Sequence, residues 1–174
     1  MIEISHVLYG DLKPGGLDSR LPPSVNIEMM IMNATTLCRT HRTFSLPPST
    51  ADVPGVRRAL VDTLVEWGLP EDGELLYALG LIASELVTNA VTHAGAHTPS
   101  IVVTLAIGEE GTLELGVSDN CRVFPRRLAT SPEATHGRGT AIVDALLAEF
   151  GGSLTSERHP HGKTLWAQLP GALS

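Results

Sequence analysis

Hydrophobic residues along this chain recur with two different periods, and the change from one to the other organises the reading. Between residues 74 and 93 the period is helical. At about 100° per residue, Leu75, Leu79, Ile82, Leu86 and Ala90 fall on one arc, with Ala83 and Val87 on its flank. A second amphipathic helix is predicted upstream, where Val56, Leu60, Leu64 and Trp67 form an apolar stripe. Asp52 can cap it, Pro54 suits its first turn, and Gly68 followed by Pro70 ends it. Asp72 offers a cap for the longer helix. Past Gly95 the pattern alternates instead. Residues 100–107 (SIVVTLAI) and 112–118 (TLELGVS) flank Gly108-Glu109-Glu110-Gly111, which predicts an antiparallel hairpin. Residues 139–150 return to helical spacing with Ile142, Val143, Leu146 and Leu147 inward, and Gly151-Gly152 stops them. Residues 153–157 and 163–169 read as two closing strands around a turn at His159-Pro160-His161-Gly162. Strands arranged in hairpin-like pairs and flanked by three helices predict an α+β two-layer sandwich.

The start of the chain is less legible. Ile2 and Ile4, and later Val25, Ile27, Met29 and Ile31, alternate in strand fashion, but Pro14-Gly15-Gly16 and Pro22-Pro23 interrupt them. An edge strand, a partner-binding arm and an upstream extension all suit this pattern. Met29, Met30 and Met32 each suit an alternative start. Residues 1–42 are therefore assigned as an N-terminal extension and residues 43–170 as the domain, which opens with a short strand at Phe44-Ser45-Leu46 closed by Pro47-Pro48.

Composition narrows the class. A chain of 174 residues suits one domain, and 43% hydrophobic with 18% charged residues suits a packed core rather than disorder. No apolar run approaches the roughly 20 residues of a membrane span, and no basic-then-apolar leader opens the chain, so neither a span nor a signal peptide is expected. Twelve basic against 19 acidic residues give a net charge of −7, which argues against nucleic-acid binding by phosphate neutralisation. Cys38 and Cys121 are too few for a disulfide framework and lack metal-ligand spacing, so reduced thiols in a cytoplasmic protein are expected.

Candidate chemistry centres on the long helix. Glu85 and Asn89 lie one turn apart on one face, at the border of the apolar arc. There a side chain is anchored by the core and still reaches into a cleft, although spacing alone better suits a surface pair on a core helix. Gly137-Arg138-Gly139 stands at the mouth of the third helix, where backbone N–H groups can meet an anion; a plain loop-to-helix junction has the same sequence. It is no dinucleotide fingerprint, because GRGTAI lacks the third glycine. Gly162-Lys163-Thr164 is no P-loop either: Glu157 stands where the first glycine belongs, and the segment leads into a strand. His93 and His97 have Gly95 between them and no glutamate after His93, which excludes a zinc-protease helix. His159 and His161 read as solvated turn residues, and no G-x-S-x-G serine-hydrolase motif occurs. Asp119 ends a strand. It reads as a turn former, or in a pocket as an acceptor for the exocyclic amine of a purine.

Taken in order, Glu85-x-x-x-Asn89-x-x-x-His93, Asp119, Gly137-x-Gly139 and Gly162-Lys163-Thr164 closely resemble the GHKL ATPase superfamily. Within it the strings FSLPPSTADVPGVRRAL, SELVTNAVTHAG, GRGTAIVDALLAEFGG and GKTLWAQL look like the stand-alone actinobacterial serine/threonine kinases that act as anti-sigma factors. The resemblance spans about residues 43–169. It implies a mixed, mostly antiparallel sheet with helices on one face, and a site for ATP and Mg²⁺. Asn89 would hold the Mg²⁺ and Glu85 would be the general base on a partner's hydroxyl. Asp119 would read the adenine amine with Thr164 in support, while Gly137, Arg138 and Gly139 would cradle phosphates under a lid drawn from residues 120–136. His93, Thr140 and Lys163 enter the nucleotide site with the same motifs. One departure stands out: Cys121 occupies a place where the family usually has glycine or a small residue, and the segment after it lacks the usual glycine before Pro125. A bulkier lid root there would narrow the base pocket or change its exchange rate.

The implied function is an ATP-dependent protein serine/threonine kinase and anti-sigma factor. It would sequester a sigma factor and phosphorylate an anti-anti-sigma (STAS-type) protein, without direct nucleic-acid or membrane contact. The resemblance also implies a homodimer. The alternative is an ATP-binding regulatory interaction module with little kinase activity, which the Cys121 departure motivates. A histidine kinase would need a dimerising hairpin carrying a phosphoacceptor histidine, and gyrase or chaperone relatives need long further domains; neither is expected in this sequence.

Overall fold

Strand alternation sorts the side chains of the central sheet onto two faces, and one face receives every helix. The structure, a computed structural model, describes residues 3–8, 38–94, 98–108, 110–121 and 138–172. These residues hold six strands: β1 Glu3–Leu8, β2 Cys38–Leu46, β3 Ile101–Gly108, β4 Leu113–Asp119, β5 Ser153–His159 and β6 Gly162–Leu169. Their order across the sheet is β1-β2-β3-β4-β6-β5. Three helices accompany them: α1 Val53–Glu66, α2 Glu74–Ala94 and α3 Arg138–Glu149.

Every neighbouring pair of described strands is antiparallel, so the parallel component of the expected mixed sheet is not found among them. The α+β two-layer arrangement itself is present. Along β4 and β6 the partners Leu113↔Leu169, Leu115↔Ala167 and Val117↔Leu165 share the helix-facing side. They meet Ile101, Val103 and Leu105 of β3, Phe44 and Leu46 of β2, and the apolar stripes of the helices in one core. From α2 that stripe contributes Leu76, Leu79, Ile82, Leu86 and Ala90, together with Ala83 and Val87. The helix has the length and apolarity of a membrane span, yet half of the tested stretch is buried inside the fold, as a core helix requires.

Local differences from the sequence reading have local causes. β2 begins at Cys38, well before Phe44; residues 40–43 are polar and only half-buried, so no apolar alternation marks that part of the strand. Arg42 occupies the helix-facing side there, donating to Thr63 Oγ1 at 2.9 Å and to Glu66 Oε2 at 2.8 Å on α1. Glu3–Leu8 pairs with β2 as an edge strand; residues 25–31, the other alternating stretch, lie outside the described residues. Asp52 makes no side-chain cap on α1. Instead a 3-10 turn, Thr50–Asp52, precedes the helix and Ser49 Oγ accepts from Ala51 N at 3.3 Å. In α3, Val143 and Leu147 are buried as expected, but Ile142 is exposed, because a helix with one packed side needs only a narrow stripe.

On the other side of the sheet, Gly116 is paired with Trp166, and a Cβ at Gly116 would lie 2.5 Å from the indole Cζ3. The indole is further held by its Nε1–H, which donates to Glu157 Oε2 at 3.2 Å. Gly116→Ala is therefore expected to destabilise the fold by about 1–3 kcal/mol through overpacking. Urea unfolding measures this, and an unchanged midpoint would show that the indole moves aside at no cost.

Candidate functional site

The helical stripe dictates where Glu85 and Asn89 stand. Their neighbours Leu86 and Ala90 are buried in the core, so Glu85 and Asn89 emerge half-buried at the stripe's border. The first turn of α3 packs against that border. A Cβ on Gly139 would lie 2.5 Å from Glu85 Oε2, 3.5 Å from Asn89 Nδ2 and 3.6 Å from Asn89 Oδ1. Only glycine lets the start of α3 come this close to a carboxylate and an amide together. Among the described residues, neither Glu85 nor Asn89 hydrogen-bonds through its side chain, and neither holds a buried orphaned atom. Their polar atoms thus remain available at the N-terminus of a helix, whose first N–H groups lack intrahelical partners and favour negative charge. Thr140 is half-buried in the same turn, and His93 is exposed one turn beyond Asn89. Gly137 and the Arg138 side chain lie outside the described residues.

A second group of predicted residues gathers where β4 and β6 end. Asp119 and Lys163 are register partners on the helix-facing side, continuing the row of Leu115 and Val117. Lys163 Nζ donates to Asp119 Oδ1 at 3.0 Å, with side chains only 4% and 3% exposed, respectively. The Cys121 backbone N–H donates to the same oxygen at 2.7 Å, and the Cys121 carbonyl accepts from Lys163 Nζ at 3.4 Å. Cys121 therefore acts on Asp119 through its backbone, as a turn that clamps the carboxylate.

Thr164 takes the opposite side of the sheet. Its hydroxyl shares a 2.7 Å hydrogen bond with Ser118, its register partner. The residue that joins Asp119 is Lys163 rather than Thr164. Its signal was in the sequence: Lys163 shares parity with the core residues Leu165 and Ala167, whereas Thr164 does not.

The site is separate from the groove at the other end of α2. There a cavity of about 490 Å³ opens between Glu74, Tyr77, Leu146 and Phe150, and it contains no predicted site residue. Among the described residues, no cluster of three or more His, Cys, Asp and Glu side chains could hold a metal ion unaided.

Residues 46–169 match the sequence profile of the histidine kinase-like ATPase domain. No curated protein matches the chain. Among solved structures, the chain is similar to the blue-light activated histidine kinase of Erythrobacter litoralis EL346, at 23% identity and a TM-score of 0.48 over 68% of this chain and 40% of that one. It is also similar to the catalytic domain of the histidine kinase ThkA, at 19% identity and a TM-score of 0.49 over 68% of this chain and 88% of that one. A third similar structure is full-length ShkA in complex with AMPPNP, at 22% identity and a TM-score of 0.48, covering 72% of this chain and 31% of ShkA. The chain thus spans less than half the length of the light-activated kinase and of ShkA.

Proposed function

Because the chain belongs to the histidine kinase-like ATPase domain family, we propose that it binds Mg²⁺-ATP between α2 and α3 and phosphorylates a serine or threonine of a partner protein. The observation that carries this reading is the Glu85–Asn89 pair, without a side-chain hydrogen bond among the described residues and packed against Gly139 at the mouth of α3. The donor set suits the ligand: an amide oxygen for a hard cation, a helix N-terminus for phosphates, and a carboxylate beside both.

Bound Mg²⁺-ATP would supply the transferable phosphoryl group and the neutralisation of its charge. Asn89 would hold the ion through Oδ1, its other ligands being phosphate oxygens and water. Glu85, one turn away, would accept the proton of the attacking hydroxyl. The first-turn N–H groups of α3, with Gly137, Arg138, Gly139 and Thr140, would hold the phosphates, and His93 would border them from α2. Asp119 would meet the base, with Lys163 beside it.

The same reading makes the protein a cytoplasmic anti-sigma factor that sequesters a sigma factor and phosphorylates an anti-anti-sigma protein of STAS type, acting as a homodimer. The motif strings around Glu85 and Gly139 support it. Incubation with labelled ATP and candidate anti-anti-sigma proteins tests it. Label is expected on a serine or threonine of a cognate partner, and no transfer to any partner would remove the kinase claim.

A second reading, an ATP-binding interaction module without useful kinase activity, is favoured by the engagement of Asp119 with Lys163 and the Cys121 N–H. Calorimetry combined with the transfer assay separates the two, since tight binding without turnover would select the module.

A further inference from the structure

The start of α2 and the end of α3 border the groove of about 490 Å³ that the nucleotide reading does not use. Its floor is apolar: Ala78 is buried, and Leu146 and Phe150 are half-buried against the core. Its rim is acidic. Glu71 and Asp72 come from the turn before α2, Glu74 from its first turn and Glu149 from the last turn of α3, and all four are exposed. Among the described residues, no lysine or arginine lines the groove. Tyr77 stands beside this rim with 78% of its surface exposed, the largest value for a big hydrophobic residue among those described. Ile142, 41% exposed, precedes Leu146 and Phe150 at helical spacing and so extends their apolar strip along α3.

Folding accounts for little of this surface. A carboxylate in the last turn of a helix meets the negative end of the dipole, so Glu149 works against α3. Tyr77 buries little of its ring in the fold. Among the described residues, neither Tyr77 nor any of the four carboxylates makes a side-chain hydrogen bond or ion pair. The carboxylates are no metal site, since no group of three or more His, Cys, Asp and Glu among the described residues could hold an ion. A second copy docked groove to groove would set four carboxylates against four, because a two-fold contact pairs a surface with itself. What complements an apolar floor inside an acidic rim is an apolar stripe flanked by cations, the face of a basic amphipathic helix. We propose that the groove docks a lysine- or arginine-rich amphipathic helix of a partner protein. An apolar side chain enters beside Tyr77, and its flanking cations meet Glu71, Glu74 and Glu149. Tyr77 precedes Glu85 by eight residues, about 12 Å along a helix, so this surface stands apart from the nucleotide site and needs no nucleotide.

Fluorescence anisotropy of the full chain with a labelled synthetic helix of about 15 residues, leucine on one face and lysine on the other, tests this. The controls are a scrambled peptide of the same composition, which loses the apolar face, and a version with glutamate in place of lysine. Saturable binding of the basic amphipathic peptide alone is expected. Tyr77→Ala should weaken it by at least about tenfold, as the loss of an aromatic anchor does. Glu71→Lys combined with Glu149→Lys should weaken it to a similar degree, and added salt should weaken wild-type binding by screening the rim. Because Tyr77 is exposed, the urea midpoint of Tyr77→Ala should match that of the wild type, which separates lost docking from lost folding. No binding of the basic amphipathic peptide by the wild type overturns the proposal. Equal binding of the scrambled peptide does so too, since it reveals diffuse attraction to an acidic protein. So does binding that Tyr77→Ala or the charge reversal leaves unchanged. A wild-type dimer that Tyr77→Ala converts to a monomer in sedimentation gives the groove to a second copy, and overturns it as well.

Discussion

Glu85→Gln is expected to lower phosphoryl transfer to a protein hydroxyl by about a hundred- to ten-thousandfold, the range for losing a positioned general base. The amide keeps the shape of the carboxylate, so packing against Gly139 is preserved and only the capacity to take a proton is lost. Because no neighbouring group among the described residues hydrogen-bonds the Glu85 side chain, no structural bond is broken by the change. Mg-ATP affinity should accordingly stay close to that of the wild type. Single-turnover transfer from labelled ATP, measured alongside calorimetry, reads both quantities. An unchanged transfer rate would move the base elsewhere, and a loss of affinity equal to the loss of rate would make Glu85 a binding group.

Asp119→Ala is expected to cost about 3–5 kcal/mol of folding stability, because it leaves the Lys163 ammonium buried without its counter-ion. The comparison is the Arg42–Glu66 pair, which has a similar length at 2.8 Å but a Glu66 side chain 59% exposed. Removing Glu66 should cost about 0–1 kcal/mol, since water replaces what the carboxylate gave. The same reasoning predicts that Asp119→Leu combined with Lys163→Met regains most of the stability that Asp119→Ala loses, because no charge is then stranded. Urea unfolding of the variants measures these differences. Equal losses for Asp119→Ala and Glu66→Ala would show that Lys163 reaches water when its partner is gone.

How much of this was legible in the sequence depended on which period each segment carried. α2 was read almost completely, because its apolar stripe repeats over a long helix and only its border admits polar residues. The β3–β4 hairpin was equally plain, as its strands alternate and glycines bracket its turn. β2 was read short because Arg42 does the work of an apolar residue on its inner side, by bonding to α1. Ile142 was placed inward on hydrophobicity alone, which cannot tell a packed position from one just outside the contact stripe.

In the candidate site, the Glu85–Asn89 pairing followed from helix geometry, but its approach to Gly139 depends on how two helices pack, and local spacing does not encode that. Lys163 shows what the motif Gly162-Lys163-Thr164 leaves out even where residues 163–169 are read as a strand. Parity along β6 separates Lys163, which faces Asp119, from Thr164, which faces Ser118. The departure at Cys121 was visible, but its bulk proved less informative than its backbone, which bonds to Asp119 and accepts from Lys163.

The central claim is that α2 and the mouth of α3 form a Mg-nucleotide site with Asn89 as its protein ligand. Calorimetric titration of wild type and Asn89→Ala with Mg-ATP tests it most directly. Saturable binding by the wild type and its loss in folded Asn89→Ala, by at least about tenfold, is the predicted result. Equal binding by the two proteins, or none by the wild type, would contradict it.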